Sequence, residues 1–324
     1  MQSATAIELD GQYRALRETA GCVVRDRRAI AVGGTEAGEY LQGQLTNEIQ
    51  ALAPGEGCYA ALLDRKGHMQ GDMRVLCFGD ALRLDLEPVA GDAVMRHLSM
   101  YKVGRDVAVE EITDDIAVVS VIGPAATELA LAGPLGPEHA HREITVGTVA
   151  ATAVASDGGV DLFVAAADAA DVRDSLHERG VVAVSEAAAE IVRVEGGRPR
   201  FGHEMTSATL PAEAGINERA VSFTKGCYIG QETVARLHYK GKPNRYLRGL
   251  RLALPVADGD SVLLGERELG TIGTAVVSPA HGPIALAVLR REAEPGMGVS
   301  VGPGVEAEVL EPGFERRPRR PQSE

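Results

Sequence analysis

From Leu247 onward the chain changes character. Six short apolar runs follow one another, RGLRLALP, DSVLLG, ELGTIGTAVVS, IALAVLR, GVSVG and VEAEVL. Turn-forming residues separate them at Asp258-Gly259, Gly265-Glu266, His281-Gly282-Pro283 and Pro295-Gly296. Short strands with turns at steady spacing predict a small all-β sandwich or barrel over residues 247–311. A chain of 324 residues is long enough for two or three domains, each with its own core. The remainder must therefore form at least one further unit.

Before that point strands and helices alternate. Residues 1–21 read as an N-terminal arm or one short helix. CVVRDRRAIAVGG gives two short strands, and TEAGEYLQGQLTNEI a helix that Thr35 can cap, with Tyr40, Leu41 and Leu45 on one face. CYAALLDRKGHMQGDMRVLCF reads as a hairpin turning near Asp64–Gly67, ALRLDLEP as a third strand, and AGDAVMRHLSMYK as a helix. A similar order recurs. DIAVVSVIG is a strand, Pro124–Leu131 a short helix, and ITVGTVAATAVASDGGVDLFVAA strands turning at Asp157-Gly158-Gly159. ADAADVRDSLHERG is a helix closed by Gly180. Two α+β units are thus expected within residues 22–246. Residues 181–245 read as irregular, apart from a short helix in GQETVARLHY. The tail 312–324 is expected to be disordered.

Charge and composition exclude several functions. Thirty-three Lys and Arg stand against 46 Asp and Glu, a net charge of −13 with pI near 5.2. That argues against a general affinity for nucleic acid, which needs clustered cations. No run approaches 18 consecutive apolar residues, and MQSATAIELDGQYRAL lacks the features of a signal peptide. A cytoplasmic monomer that touches neither membrane nor nucleic acid is expected. No G-x-G-x-x-G, G-K-[ST] or G-x-S-x-G occurs, and the eight histidines show no metal spacing. His139 and His141 are expected on a surface loop, and no metal site is expected.

The four cysteines, Cys22, Cys58, Cys77 and Cys227, form no close pair. The first three, flanked by apolar residues, are expected to be buried. Cys227 differs. It lies in VSFTKGCYIGQETVARLHYKGKPNRYLR, between Gly226 and Tyr228, two residues after Lys225 and just before a helix start. A nearby cation and a helix N-terminus are what lower a thiol pKa. A loop cysteine held by glycine turns fits the spacing equally well.

Lys225-Gly226-Cys227-Tyr228-Ile229-Gly230-Gln231-Glu232 resembles the motif of the YgfZ family, folate-binding proteins of iron–sulfur cluster maturation related to the glycine-cleavage T-protein. The resemblance runs from about residue 22 to 314. It includes Gln44-Leu45-Thr46-Asn47-Glu48, Asp64-Arg65-Lys66-Gly67 with Asp72, Val121–Ala125, Arg193-Val194-Glu195-Gly196-Gly197-Arg198-Pro199 and Leu210–Gly215. It implies a three-lobed cloverleaf, two interleaved α+β lobes and a C-terminal β-barrel, around a central channel for tetrahydrofolate or a one-carbon derivative. Glu195 would anchor the pterin, one carboxylate accepting two N–H groups. On local grounds alone Glu195 is a charge before a Gly-Gly turn, and Asn47 a helix C-cap or a channel contact. Lys225 is implied beside the folate. Asp72 matches the second of two consecutive acids in T-proteins, the catalytic carboxylate there. Gly71 replaces the first acid, and Glu87 stands where T-proteins usually carry Asn.

Three functions follow from the resemblance. The first expectation is a folate-dependent accessory of iron–sulfur assembly or repair with Cys227 as working thiol, partnered by assembly or client proteins. The alternatives are an aminomethyltransferase using Asp72, or a folate-binding scaffold without chemistry. Whether it is an enzyme stays open at this level.

Overall fold

The structure, a computed structural model, describes residues 6–79 and 81–314. The first five residues of the expected arm, and the expected tail from Glu315 onward, lie outside the described residues. The chain forms two compact units. One comprises residues up to Ala189 with Met205–Pro243, the other Glu190–Glu204 with the chain from Asn244 onward.

The first unit opens with α1 (Ala6–Glu18) and two strands, β1 (Gly21–Arg25) and β2 (Arg28–Gly33), which enter different sheets. After β2 come α2 (Ala37–Gln44), the hairpin β3 (Gly57–Leu63) and β4 (Met69–Cys77), β5 (Ala81–Leu86), α3 (Pro88–Tyr101) and β6 (Ala108–Glu111). These strands make a five-stranded sheet in the order β3-β4-β5-β2-β6. The chain then returns with β7 (Ile116–Ile122), α4 (Ala126–Leu129), β8 (His141–Val146), β9 (Val149–Ser156), β10 (Gly159–Ala165), α5 (Ala169–Glu178) and β11 (Val182–Ala183). The second sheet has the order β11-β1-β7-β10-β9-β8, antiparallel except for β1 with β11. One strand laid down early and completed late is what interleaves the two sheets in sequence. Asp26-Arg27 is the two-residue link at which the chain passes from one sheet to the other. Leu76, Val118, Val154 and Phe163 form an apolar cluster drawn from both sheets.

Tyr40, Leu41 and Leu45 are buried together, as their spacing predicts, but Thr35 does not cap α2. Its backbone N–H and hydroxyl both bind Asp106, and Glu36 takes the N-cap position. A long-range carboxylate outcompetes the local cap. A second difference is α6 (Glu186–Glu195), within a stretch expected to be irregular. Ser185 accepts the Ala188 N–H at 3.3 Å at its start. Its end is a left-handed turn at Gly197 (φ +68°), with Arg198 N–H bonded to Arg193 C=O and Gly197 N–H to Val194 C=O. Two short helices follow, α7 (Asn217–Ala220) and the expected α8 (Gln231–Lys240).

The second unit holds β12 (Arg245–Leu252), β13 (Ser261–Leu264), β14 (Arg267–Thr271), β15 (Thr274–Ser278), β16 (Gly282–Arg290), β17 (Gly298–Val301) and β18 (Val305–Leu310). They form one seven-stranded antiparallel sheet, β14-β13-β17-β18-β12-β16-β15, over a core including Leu250, Val262, Leu289, Val301 and Val309. ELGTIGTAVVS, read as one run, is split into β14 and β15. Val194 at the end of α6 packs with Leu247, Ile284 and Leu286 of this unit.

Candidate functional site

The β3–β4 hairpin positions Asp72. Its turn is closed by Asp64, whose Oδ1 accepts the N–H groups of Lys66 (2.8 Å) and His68 (2.9 Å), with Gly67 at φ +88°. A bulge follows. Leu63 pairs with Met69 and Leu62 with Gly71, so Gln70 is the extra residue, two positions before Asp72. The Tyr59 hydroxyl donates to Asp72 Oδ2, while Asp72 Oδ1 is buried with no hydrogen-bond partner among the described residues. Burial raises the Asp72 pKa, outweighing the Tyr59 hydrogen bond and the Arg27 charge that pull it down. Burial, and then the Asp72 charge, push the Tyr59 phenol well above its usual value.

The surroundings of this carboxylate escaped the sequence reading. Arg27, on the link between the sheets, binds Asp85 through Nε (2.9 Å) and Nη2 (3.1 Å) and also binds Glu87. Asp85 in turn accepts Arg74 Nε at 2.6 Å, and Arg74 reaches Asp161, which accepts the Ser120 hydroxyl. Burial would raise the Asp85 pKa, but the Arg27 and Arg74 charges hold it below the usual carboxylate range. Four residues distant in sequence thus form one buried chain of alternating charge. The one sequence signal was an acid inside an apolar strand, Asp161 in GVDLFVA. Glu87 is not a loose anion near Asp72, because Arg27 neutralises it.

Gly71 is set by packing. A Cβ there would lie 2.9 Å from Ala90 Cβ and 3.1 Å from Val94 Cγ2 of α3, so an acid at this position has no room. On the other side, Arg219 of α7 lies over the Tyr59 ring, 5.0 Å from its centroid, and pairs with Glu138. Arg219 Nε and Asn217 Oδ1 are also buried without partners among the described residues. His139 and His141 are buried rather than on a surface loop. His141 Nε2 lies 3.0 Å from the Cys77 carbonyl, and burial takes the His139 pKa down to about 4.

Asn47 and Lys225 serve the protein itself. Both Asn47 amide N–H groups are used, by the Tyr59 (2.8 Å) and Arg219 (2.9 Å) carbonyls, and its Oδ1 accepts the Glu48 N–H. Neither N–H remains for a ligand, and the C-cap of α2 is Leu45. The Lys225 ammonium donates to the carbonyls of Gln42 (2.7 Å), Leu45 (2.8 Å) and Asn47 (2.6 Å). Burial lowers its pKa to about 8. Lys225 therefore clamps carbonyls in the last turn of α2 and just beyond it, where the macrodipole favours a cation, and all three of its N–H groups are engaged there.

The other motif residues divide in the same way. Tyr228 is buried, and Gly230 (φ +84°) forms the N-cap of α8. A Cβ on Gly230 would meet the Asp64 carbonyl at 2.6 Å, so the motif docks on the hairpin turn only with glycine there. Gly226, Cys227 and Glu232 are exposed, and Gln231 is half-buried. Of the four cysteines only Cys227 is exposed. Cys22 and Cys77 are buried, and Cys58 is half-buried with its thiol pushed up to about 12 by burial.

In the second unit Glu195 is fully buried as the last residue of α6. It accepts the Ser278 hydroxyl, and Ser278 Oγ in turn accepts the N–H groups of Ala280 and His281, both at 3.0 Å. Next to it, Arg193 pairs with Glu190 (2.6 Å) and the buried Glu204 (2.9 Å) and donates to Thr274 at 2.7 Å. The R-x-E-x-G-x-P segment thus combines an ion-paired arginine with an enclosed carboxylate. Among the described residues no cluster of three or more His, Cys, Asp or Glu could hold a metal ion, and no helix is long and apolar enough to cross a membrane.

The family model described as GCVT N-terminal domain matches residues 8–225. An aminomethyltransferase of Saccharopolyspora erythraea is 29% identical over 94% of this chain and 89% of its own length. The tRNA-modifying protein YgfZ of Colwellia psychrerythraea is 26% identical over 75% of this chain and 74% of its own. The crystal structure of glycine cleavage system aminomethyltransferase T from Bartonella henselae has the same fold, with a TM-score of 0.83 at 22% identity, over 97% of this chain and 91% of that one.

Proposed function

The chain belongs to the GCVT N-terminal domain family as a YgfZ-like member with the aminomethyltransferase fold, and from that premise we propose that it binds tetrahydrofolate and serves iron–sulfur cluster assembly or repair through the Cys227 thiol. Family members use tetrahydrofolate, which when bound supplies a carrier nitrogen for a one-carbon unit. The observation that carries the ligand is Asp72 Oδ1, a buried acceptor that no described residue satisfies. Such an atom costs about 1–3 kcal/mol unless a donor reaches it, and a folate N–H is a donor of the right kind. Tyr59 fixes the other oxygen, so Asp72 offers Oδ1 in one orientation. Glu195 is the second proposed contact, as pterin anchor. Ser278 donates to one of its oxygens, and the anchoring role itself is carried by the resemblance. The cloverleaf with a central channel and a closed C-terminal barrel is part of this proposal and is carried by the resemblance.

The thiol reading is supported by Cys227 standing exposed between two buried motif side chains, Lys225 and Tyr228. An aminomethyltransferase is the second reading, favoured by relatives of that name. Packing around Gly71 weighs against it, since α3 excludes the first of the two acids. Calorimetric titration with tetrahydrofolate and its 5-formyl and 5,10-methylene forms tests the ligand. Activity of cluster-dependent enzymes in cells carrying Cys227→Ala tests the role, with a fall expected. Full activity of those enzymes with Cys227→Ala leaves the folate-binding scaffold as the better reading.

A further inference from the structure

The net charge of −13 is an average, and one face departs from it. The whole chain has five lysines, at 66, 102, 225, 240 and 242, and four of them belong to the β3–β4 turn or to the segment 225–242. The turn and α8 are in contact. Gly67 lies against Thr233, and Gly230 against the Asp64 carbonyl. Five exposed cations thereby share one surface, Arg65 and Lys66 at the turn and Arg236, Lys240 and Lys242 along and after α8. None of the five makes an ion pair with a described residue, although Arg25, Arg27, Arg28, Arg74, Arg193 and Arg219 are all paired. The acids on the same elements do not balance them. Asp64 is taken up by the Lys66 and His68 N–H groups, and Glu232 is the one exposed carboxylate of α8.

Aromatic rings lie beside these charges. His238 stacks on Phe223 with centroids 3.7 Å apart and planes within 16°, and Tyr239 stands edge-on to both, 67% exposed. Exposed rings among unpaired, flexible cations suit a ligand with negative charge at intervals and flat faces to stack. An acidic peptide would meet the charges and leave the rings unused.

We propose that the face formed by the β3–β4 turn and α8, next to Cys227, binds single-stranded nucleic acid, with the lysines and arginines on phosphates and His238 and Tyr239 stacking on bases. The proposal is independent of folate. Fluorescence anisotropy with a labelled oligouridine of about 12 nucleotides tests it. With three to five phosphate contacts, affinity is expected to fall roughly 20- to 130-fold between about 50 and 200 mM salt. Lys240→Ala with Lys242→Ala should lower the salt slope by about 1.4, and Tyr239→Ala should weaken binding about fivefold or more. These are surface positions, and unchanged melting temperatures will show that the variants fold. No oligouridine binding at about 100 μM in low salt overturns the proposal. So does a poly-glutamate peptide that binds as tightly and competes, because an acidic protein would then be the better partner.

Discussion

Asp72 on β4 and Asp85 on β5 sit on adjacent strands of one sheet, yet they are built for opposite ends. Asp85 is almost wholly buried and shared by two arginines. Asp72 is held by one phenol and leaves a buried oxygen unmatched. A carboxylate whose every acceptor is used adds rigidity and offers nothing to a ligand. One left incomplete by the protein is where a ligand can supply the missing donor.

The largest effect should come from removing the completed carboxylate. Asp85→Ala leaves Arg27 and Arg74 buried without their shared partner and should cost about 3–5 kcal/mol of stability, read by urea unfolding. Asp72→Asn should cost little, and its pH dependence should have the opposite sign. The Asp72 pKa is raised by burial, so folding takes up a proton and the site's contribution to stability improves as pH falls through the raised pKa. The Asp85 pKa is lowered, so its contribution is full above the unfolded value and is lost as pH falls through the folded one. If both variants show the same sign between neutral and acid pH, the contrast between the two acids is wrong.

The octapeptide repeats the contrast on a smaller scale. Lys225→Met strips three carbonyls of one buried ammonium and should destabilise by roughly 2–3 kcal/mol. Cys227→Ala, two residues on, should change stability by less than about 0.5 kcal/mol. Equal melting temperatures for these two variants would erase the division into clamp and working thiol. Glu195→Gln should weaken tetrahydrofolate binding by roughly 1.5–3 kcal/mol, checked by calorimetry, and an unchanged dissociation constant would remove Glu195 from the site. The smallest expected difference is kinetic. At neutral pH Cys227 should react with iodoacetamide faster than Cys22, Cys58 and Cys77, for access if for nothing else.

Local pattern made most of the fold readable, because strand alternation, helix period and turn residues act over a few positions. The hairpin at Asp64–Gly67, the helix ending before Gly180 and the C-terminal strands were all legible for that reason. Thr35 misled because Asp106, 71 residues away, took the hydroxyl. Helix α6 is hard to read locally because its last turn, Arg193–Glu195, is also the start of the R-x-E-x-G-x-P segment. Of the site, the octapeptide and Asp72 were visible as residues, but their division of labour was not. Lys225 reads in sequence as a neighbour of Cys227, while its ammonium reaches back some 180 positions to the end of α2. The Arg27–Asp85–Arg74–Asp161 chain joins four strands or links and has no local pattern at all.

Titration of tetrahydrofolate into the intact protein and into Asp72→Asn, by calorimetry at neutral pH, addresses the central claim most directly. Binding by the native chain, weakened at least about tenfold in a variant that melts no lower, is the result this account requires. Equal affinity in the two proteins, or no heat from the native one, would contradict it.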